Sequence, residues 1–246
     1  MNLSLKSLVA IFPRSYSGHR IIDNPNHKKL KERYFSTWKD EKIPQRQLKI
    51  TNKQLPEIEK VPAIANLIEF IKATKIKNPT ILEIGCSTGY HVEAFRKVGL
   101  KVSYQGCDYS PEFIKIAREK YPGVDFKVDD ATDLHYQSNS FDIVVSGCCI
   151  LHIIDYQKAI KEAARVAKKF VVFHRTPIIH IRPTTYTKKI GYGVEMIEII
   201  FNEEELVNLF RKNNLIIESV NTHAQFNIPN LFEPVFMKNY LCQKIS

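Results

Sequence analysis

Short apolar runs alternate with amphipathic segments along the chain from residue 79 onward. The runs are TILEIG, KVSYQGCD, VDFKVDD, FDIVVSGC and KFVVFHR, and the segments between them, such as PEFIKIAREKY and DYQKAIKEAARVAK, have helical periodicity. Strands that are joined through helices pair in parallel, because a parallel connection needs a crossover of a dozen or more residues. The alternation therefore predicts an α/β fold with a doubly wound, mainly parallel sheet.

The C-terminal part of the chain departs from this alternation. Asn202 precedes three glutamates in NEEELVNLFRKNN, and this pattern starts a helix, because Asn caps a helix N-terminus and carboxylates complement the helix dipole. Two β-rich runs follow, LIIESV and VFMKNYLCQK, without a helix between them. Neighbouring strands that lack a crossover helix run antiparallel. We therefore expect a sheet of about seven strands, the last antiparallel to the rest.

The first 78 residues differ from the rest in charge and in pattern. They contain 16 Lys+Arg and 7 Asp+Glu, which leaves 20 and 19 for residues 79–246, in a chain of net charge +10. We interpret residues 1–78 as a basic, helical or irregular extension and residues 79–246 as the α/β domain. The charge indicates either a surface for an anionic partner, such as RNA or a membrane, or a solvated appendage. The absence of RNA-binding signatures favours the appendage.

Tyr34 and Trp38 in this extension are either part of a lid or, as we prefer, a packing face.

The composition gives no sign of secretion, a membrane span or a metal site. No apolar run approaches the roughly 18 residues that cross a bilayer, and the N-terminal SLVAIF is too short for a secretion signal. The five cysteines are odd in number and lack CxxC spacing, so they predict neither a disulfide framework nor a zinc site. We expect a cytoplasmic protein without a bound metal; the pattern does not indicate an oligomeric state.

The sequence GCSTG at residues 85–89 has two incompatible interpretations. As G-x-S-x-G it matches the nucleophile elbow of a hydrolase, with Ser87 as the nucleophile. As a glycine-rich turn between a strand and a helix, it is a loop that cradles a ligand. An elbow would need a sheet built before it and an oxyanion motif upstream, and neither is visible. The ligand loop is therefore favoured, with a serine hydrolase as the alternative.

Acidic side chains lie at the ends of three successive predicted strands. Glu83 precedes the glycine loop, Asp108 closes the second strand, and Asp129 and Asp130 close the third. Ligands of open α/β sheets bind at the carboxyl ends of the strands, where carboxylates accept hydrogen bonds from a ribose diol or an adenine amino group. Neither G-x-G-x-x-G nor G-x-x-x-x-G-K-[ST] is present. The pattern predicts a nucleoside ligand without a pyrophosphate.

Residues 79–175 resemble the class I S-adenosylmethionine-dependent methyltransferases, and the C-terminal region resembles them more loosely. LEIGCSTGYHVEAF is similar to the family's E-x-G-x-G-x-G loop, with Ser87 in place of the middle glycine. GCDYSPEFIKIAR resembles the ribose motif, and DDATDLHYQSNSFDIVVS resembles the D-A-x-x-L-P-F-x-x-x-x-F-D pattern, with His135 in place of proline. The resemblance implies S-adenosylmethionine as the cofactor, bound by Glu83, Gly85, Cys86, Ser87, Gly89, Asp108, Tyr109, Asp130, Ala131 and Ser146. Asp108 would bind the ribose hydroxyls, with Tyr109 and Ala131 beside the adenine and Asp130 at its amine.

The resemblance also implies where the reaction takes place. SGCCILHIIDYQKAIKEAARVAK is similar to the small-molecule branch of the family, in which a histidine, here His152, follows an apolar pair at the pocket floor. The [DNS]-P-P-[YFW] motif of enzymes that methylate amide or base nitrogens is absent. We expect methyl transfer to a small or glycan-like acceptor, at oxygen, with His152 or His174 as the general base. Each histidine has a structural role as its alternative.

Two further hypotheses remain at this point. Arg182, Lys188 and Lys189 lie between the fifth strand and the last helix, where they either bind a phosphate or carboxylate of the acceptor or belong to a solvated loop. A protein that keeps the nucleoside pocket but uses its basic extension to bind RNA, without catalysis, is the second alternative function.

Overall fold

The computed structural model describes residues 18–245, so the N-terminal SLVAIF lies outside the described residues. The helices are α1 (His27–Tyr34), α2 (Lys42–Gln54), α3 (Pro62–Ala73), α4 (His91–Lys97), α5 (Pro111–Lys120), α6 (Tyr156–Val166) and α7 (Glu203–Lys212). The strands are β1 (Arg20–Ile21), β2 (Thr80–Ile84), β3 (Ser103–Asp108), β4 (Asp125–Val128), β5 (Phe141–Gly147), β6 (Ala167–Ile179), β7 (Thr185–Gly191), β8 (Val194–Asn202), β9 (Leu215–Asn227) and β10 (Pro234–Lys244). Short 3-10 helices span Thr37–Lys39, Leu55–Lys60 and Ile150–His152.

Seven strands form the predicted doubly wound sheet, in the order β4, β3, β2, β5, β6, β10, β9. The pairs within β4, β3, β2, β5 and β6 are parallel, whereas β10 is antiparallel to both of its neighbours, β6 and β9. Asn202 caps α7 as predicted, because its side chain accepts a hydrogen bond from the backbone N–H of Glu205. The fold class, including the antiparallel strand at the end of the chain, is confirmed.

Both faces of this sheet are covered by helices. Ile81 packs in a core with α3 and α4, whereas the next residue, Leu82, packs in a second core with α6 and α7 on the opposite face. Successive side chains of a strand point to opposite faces, so a strand buried on both sides needs an uninterrupted apolar run. This requirement explains why the central strands appear in the sequence as continuous apolar segments.

Three strands extend the sheet beyond the predicted seven. β7 and β8 form an antiparallel hairpin, β8 pairs in parallel with the end of β6 at Ile178 and Ile179, and β1 pairs with β7. The sequence HIRPTTYTKKIGYG, expected as an insertion after the fifth strand of the domain, thus contributes β7 and the turn that leads into β8. The hairpin lies beside the carboxyl ends of the parallel strands.

The described part of the N-terminal extension is mainly helical. α3 shares a buried core with β2, β5 and β6, so residues 62–73 pack directly on the sheet. α1, α2 and the 3-10 helix Thr37–Lys39 contribute residues to the wall of a cavity at the carboxyl ends of the strands, to which the start of α3 also contributes Ala63 and Ile64. Among residues 18–245, no helix combines the length and the apolar character that crossing a membrane would need.

Candidate functional site

A cavity of about 620 Å³ opens at the carboxyl ends of β2, β3 and β5. The loops that follow these strands form its floor, α1 and α2 contribute its roof, and the β7–β8 hairpin forms its far wall. Ligand pockets for small molecules have volumes of roughly 300–1,000 Å³, and doubly wound sheets place them at this edge. The cavity therefore has the size and the position of a ligand site.

The glycine loop at residues 85–89 turns from β2 into α4 through left-handed backbone. Gly89 has φ +73°, and a Cβ atom at this position would lie 2.6 Å from the ring of Phe126. Ser87 is also in the left-handed region, with φ +54°, although it is not a glycine. Gly85 and Ser87 line the cavity, whereas Gly89 lies beneath it. The loop thus presents backbone to the cavity and packs its second glycine against β4.

The Ser87 hydroxyl donates a hydrogen bond to Gln47 Oε1 of α2, at 2.8 Å. A nucleophilic serine needs a base that removes its proton, and an amide oxygen is not such a base. The geometry at Ser87 therefore gives no support to the serine hydrolase alternative. The hydrogen bond instead connects the glycine loop to the N-terminal extension, a contact that no sequence motif indicates.

Asp108 lies at the end of β3 with its carboxylate at the cavity. Its Oδ2 accepts from the backbone N–H of Ser87 and its Oδ1 from that of Ser110, both at 2.9 Å. Burial raises the pKa of Asp108 to about 6, against these two hydrogen bonds, which favour the ionised form. Each carboxylate oxygen has a second lone pair, so Asp108 can still accept from two hydroxyl groups of a ligand.

The end of β4 supplies the next set of polar groups. Asp130 Oδ1 accepts from the backbone and the hydroxyl of Thr132, both at 2.8 Å, and Asp130 lines the cavity. Asp129 Oδ1 lies 2.8 Å from His135 Nδ1, and this hydrogen bond raises the pKa of His135. Tyr109 and Ala131 complete this end of the cavity, where the rings of Phe35 and Tyr109 pack edge to face with their centroids 5.1 Å apart.

Not all residues expected at the site face the cavity. Glu83 is buried, and its carboxylate contacts the hydroxyl of Tyr104 and, at 2.7 Å, Nδ1 of His91. His174 is buried too, and its Nε2 donates to the backbone oxygen of Ala63 at 2.8 Å. The cavity is lined by seven of the predicted residues, which are Gly85, Ser87, Asp108, Tyr109, Asp130, Ala131 and His152. Five do not line it, namely Glu83, Cys86, Gly89, Ser146 and His174.

His152 lies at the inner end of the cavity, in the 3-10 helix that follows β5. Its Nδ1 lies 2.8 Å from the backbone oxygen of Ile197, and since a carbonyl only accepts, Nδ1 is the protonated nitrogen. Burial lowers the pKa of His152 to about 4, so the ring is neutral at physiological pH and its Nε2 keeps a lone pair. The indole of Trp38 packs on the imidazole at a centroid distance of 4.7 Å.

The strand ends and the hairpin bring charged residues to this inner end that the sequence did not indicate. Glu198 of β8 is buried, and although burial disfavours its charge, the hydrogen bond of His19 and the charge of Lys189 lower its pKa to about 2. Arg175 of β6 also lines the cavity, with φ +59°. The only sequence feature that marks Arg175 is its position directly after the apolar run of the fifth predicted strand.

The three basic residues expected in the insertion have different surroundings. Lys189 lines the cavity and pairs with Glu198, whereas Lys188 pairs with Glu195 at 3.3 Å and does not line it. Arg182 donates to the backbone oxygen of Asn230, also outside the cavity. Tyr34 and Trp38, expected as a packing face, both belong to the lining.

The fold and the site together define an α/β domain with a cavity at the carboxyl ends of its parallel strands, lined by Asp108, Asp130 and His152. Residues 82–173 match a family described as "Methyltransferase domain". A ubiquinone/menaquinone biosynthesis C-methyltransferase from Campylobacter jejuni is 34% identical over 98 residues, which are 38% of this chain and 42% of that protein. The chain thus spans less than half the length of this relative.

Solved structures share the fold over most of the chain. An S-adenosylmethionine-dependent methyltransferase from Clostridium acetobutylicum aligns with a TM-score of 0.59 and 14% identity, over 81% of this chain and 99% of that one. One from Methanosarcina mazei aligns with a TM-score of 0.56 and 20% identity, over 72% and 97%. The chain therefore has the fold of the class I S-adenosylmethionine-dependent methyltransferases, as the motifs predicted, and its residues 82–173 match a methyltransferase domain; S-adenosylmethionine is the cofactor of this class.

Proposed function

We propose that the protein transfers the methyl group of S-adenosylmethionine to a small acceptor at the inner end of the cavity. One observation carries this proposal: a single continuous cavity connects Asp108 and Asp130, at the nucleoside end, with His152 at the other. A methyl transfer requires both substrates in one enclosed space, with the acceptor atom close to the methyl carbon. The cavity supports the proposal because it offers one common space for both substrates.

The residues of the nucleoside end fit the cofactor. Asp108 retains lone pairs for the two ribose hydroxyls, and Asp130 offers an acceptor for the adenine amino group. Tyr109 and Ala131 provide apolar surface for the adenine ring. We assign these four residues and the loop residues Gly85 and Ser87 to cofactor binding.

The predicted site residues outside the cavity have a supporting role in this proposal. Glu83, Cys86, Gly89 and Ser146 are buried directly beneath the loop and strand ends, where their packing fixes the floor. His174 holds α3 through the oxygen of Ala63, and we assign it no catalytic role. His152 is the one histidine of the two that a substrate would contact.

The chemistry that remains for the protein is positioning and proton removal. S-adenosylmethionine supplies an activated methyl group when bound, so a hydroxyl acceptor needs orientation and a base. His152 presents the lone pair of Nε2, and the hydrogen bond from Nδ1 to Ile197 fixes its tautomer and its orientation. The negative charge of Glu198 favours the imidazolium that forms when Nε2 takes the proton.

The proposed acceptor atom is oxygen, in a small or glycan-like acceptor. The rings of His152, Phe113 and Tyr192 all contact the indole of Trp38, and this mainly aromatic wall favours a flat, apolar scaffold over a glycan. The name of the Campylobacter jejuni relative indicates carbon as a second candidate. A ring carbon next to a phenol hydroxyl would also need a base, so the same histidine would serve either atom.

Isothermal titration with S-adenosylmethionine and S-adenosylhomocysteine tests the first step of the proposal. We expect both to bind, and the absence of binding would refute the proposed function. Transfer of a ¹³C-labelled methyl group to a panel of phenols and catechols tests the second step, because the carbon chemical shift distinguishes an O-methyl from a C-methyl product. Product that forms equally well with His152→Ala would exclude this histidine as the base.

A further inference from the structure

The roof segment of the cavity, residues 27–54, contacts both of its ends. It consists of α1, the 3-10 helix Thr37–Lys39 and α2. At the nucleoside end, Phe35 packs against the ring of Tyr109, and Nζ of Lys39 lies 4.0 Å from the centroid of the same ring. At the inner end, the indole of Trp38 packs on the imidazole of His152 at a centroid distance of 4.7 Å. A movement of this one segment would therefore change both ends of the cavity together.

The roof segment is attached to the rest of the protein more weakly than the helix that follows it. Its buried hydrophobic side chains are Leu30, Tyr34 and Ile43, whereas the 12 residues of α3 include six. Its ion pairs are partly exposed, and such pairs contribute little to stability. They join Lys31 to Asp155 and Arg33 to Glu195, and Arg46 also donates to the backbone oxygen of Tyr192. A segment with few buried apolar contacts separates from a fold at a lower free energy than its core.

Irregular backbone lies on each side of the roof segment. Before α1, Asn24 has φ +49° and is followed by Pro25. After α2, the 3-10 helix Leu55–Lys60 is interrupted at Glu57, whose φ of −132° and ψ of 34° are not helical. Hinges are a few residues at the ends of elements that absorb a change in φ and ψ. The roof segment therefore has a candidate hinge at each boundary.

Ser87 connects the roof segment to the proposed cofactor site. Its backbone N–H donates to Oδ2 of Asp108, the residue assigned above to the ribose hydroxyls, and its hydroxyl donates to Oε1 of Gln47 at 2.8 Å. Ser87 is buried with φ +54°, a conformation that disfavours any side chain, at a position where the family's loop has glycine. The serine hydroxyl supplies a hydrogen bond that glycine would lack. Asp108, Ser87 and Gln47 thus form one hydrogen-bonded chain from the sheet to α2.

We propose that the roof segment is a lid that the bound cofactor holds closed through Ser87 and Gln47, so that Trp38 is held beside His152 only with the cofactor bound. Gln47 is then a positioning residue, which acts on the glycine loop through Ser87 and on the inner end through the lid. The proposal rests on the proposed function and adds how cofactor binding prepares the place of the acceptor. Coupling of this kind is reciprocal, so closure of the lid strengthens cofactor binding by the same factor by which the cofactor favours closure.

The fluorescence of Trp38 reports the position of the lid without a label, because the chain has a single tryptophan. Quenching by acrylamide is measured with and without saturating S-adenosylhomocysteine, and calorimetry gives the affinity. In the wild type we expect S-adenosylhomocysteine to lower the quenching constant. Ser87→Ala, which keeps a side chain at this backbone position, and Gln47→Ala should each lose most of this protection. Each should also weaken binding by roughly 2- to 10-fold, the net contribution of one hydrogen bond.

Gln45→Ala is the matched control, because Gln45 is an exposed glutamine of the same helix that does not line the cavity. It should keep the quenching and the affinity of the wild type. The double variant of Ser87→Ala and Gln47→Ala should bind S-adenosylhomocysteine as tightly as either single variant, since all three lack the same hydrogen bond. Thermal melts check folding, and the two single variants remove the bond from opposite sides, so either one suffices if the other is unfolded.

Three results would overturn the lid proposal. They are a wild-type quenching constant that S-adenosylhomocysteine does not lower, protection that is equal in the wild type and the single variants, and losses of affinity that add in the double variant. In each of these cases S-adenosylhomocysteine still binds, so the proposed function stands. Absence of binding to the wild type would refute the proposed function, and the lid proposal with it.

Discussion

Asp108 should make the stability of the protein fall, and its affinity for the cofactor increase, as the pH rises. Replacing Asp108 with asparagine should remove both dependences. The carboxylate is buried at the end of β3, where it accepts hydrogen bonds from the backbone of Ser87 and Ser110. Burial raises its pKa from 3.8 to about 6. The fold therefore works against the ionised form that the proposed cofactor contact requires.

The effect on stability follows from proton linkage. The unfolded chain loses this proton near pH 4 and the folded protein near pH 6, so between these values the folded state binds more protons. Stability consequently falls as the pH rises through this range and stays reduced above it. A difference of about two pKa units corresponds to about 3 kcal/mol. For a chain of 246 residues this equals a loss of about 6–12 °C in Tm from Asp108 alone.

The effect on the cofactor has the opposite sign. The ionised carboxylate is the better acceptor for ribose hydroxyls, so the affinity for S-adenosylhomocysteine should increase with pH until Asp108 is fully ionised. In Asp108→Asn the affinity should lose this dependence and fall by about 1.5–3 kcal/mol for each charge-assisted hydrogen bond lost. The amide also turns a donor toward one of the two backbone N–H groups, which lowers stability by an amount independent of pH.

Melts and titrations between pH 4.5 and 8 test both effects at once. Other carboxylates titrate in the same range, so the quantity of interest is the difference between wild type and Asp108→Asn at each pH. Asp125→Asn, at an exposed position of β4, serves as the control and should follow the wild type. Parallel stability curves for wild type and Asp108→Asn would refute the buried-charge argument. An unchanged affinity in the folded variant would remove Asp108 from the cofactor site.

Three further changes test other parts of the site. His152→Ala should lower kcat by about 10²-fold or more with little change in cofactor affinity. Because the pKa of His152 is about 4, the wild-type rate should show no inflection from this group above about pH 6. A full rate in the variant would contradict the role of His152 as base. Gly89→Ala should lower the free energy of unfolding by about 2–4 kcal/mol in chemical denaturation, since the backbone there is left-handed and the added methyl group meets Phe126. Gly99→Ala, with φ +65° and open space around it, should lower it by only about 1–2 kcal/mol. Equal losses would show that the contact with Phe126 is irrelevant. Ser87→Gly should change the free energy of unfolding by no more than about 1 kcal/mol, because relief of the left-handed strain offsets the lost hydrogen bond to Gln47. A loss of several kcal/mol would mean that this hydrogen bond holds α2 in place.

The central sheet was predictable because its residues follow from local pattern. Ile81 and Leu82 face two different cores, so β2 is apolar throughout, and helices of ordinary periodicity separate it from the next strands. The carboxyl ends of parallel strands meet at one edge. Asp108 and Asp130, which close β3 and β4, were therefore predicted to lie together, and both line the cavity.

Depth within the site was not predictable from spacing. Glu83 stands at a strand end like Asp108, but His91 and Tyr104 contact its carboxylate beneath the floor. Strand-end position fixes which edge of the sheet a residue occupies, whereas the neighbours that take up its hydrogen bonds decide whether it faces the ligand. His174 is bound through Nε2 to the oxygen of Ala63 and does not line the cavity, whereas His152 is bound through Nδ1 to the oxygen of Ile197 and lines it.

The chamber around His152 depends on packing between segments that are far apart in the chain. Trp38 comes from the N-terminal extension, Arg175 from an irregular position of β6, and Glu198 from a hairpin strand. Each segment had an ordinary local pattern: an aromatic in a polar stretch, an arginine after an apolar run, and a glutamate among isoleucines. Only the hairpin had a usable signal, the Tyr192 and Gly193 turn between two β-rich runs. Cofactor residues occupy consecutive strand ends whose order the chain dictates, whereas the residues around the acceptor come together only when the extension and the hairpin close over the sheet. The same construction explains how a common cofactor domain can serve different acceptors, because the extension and the hairpin can change while the sheet is retained.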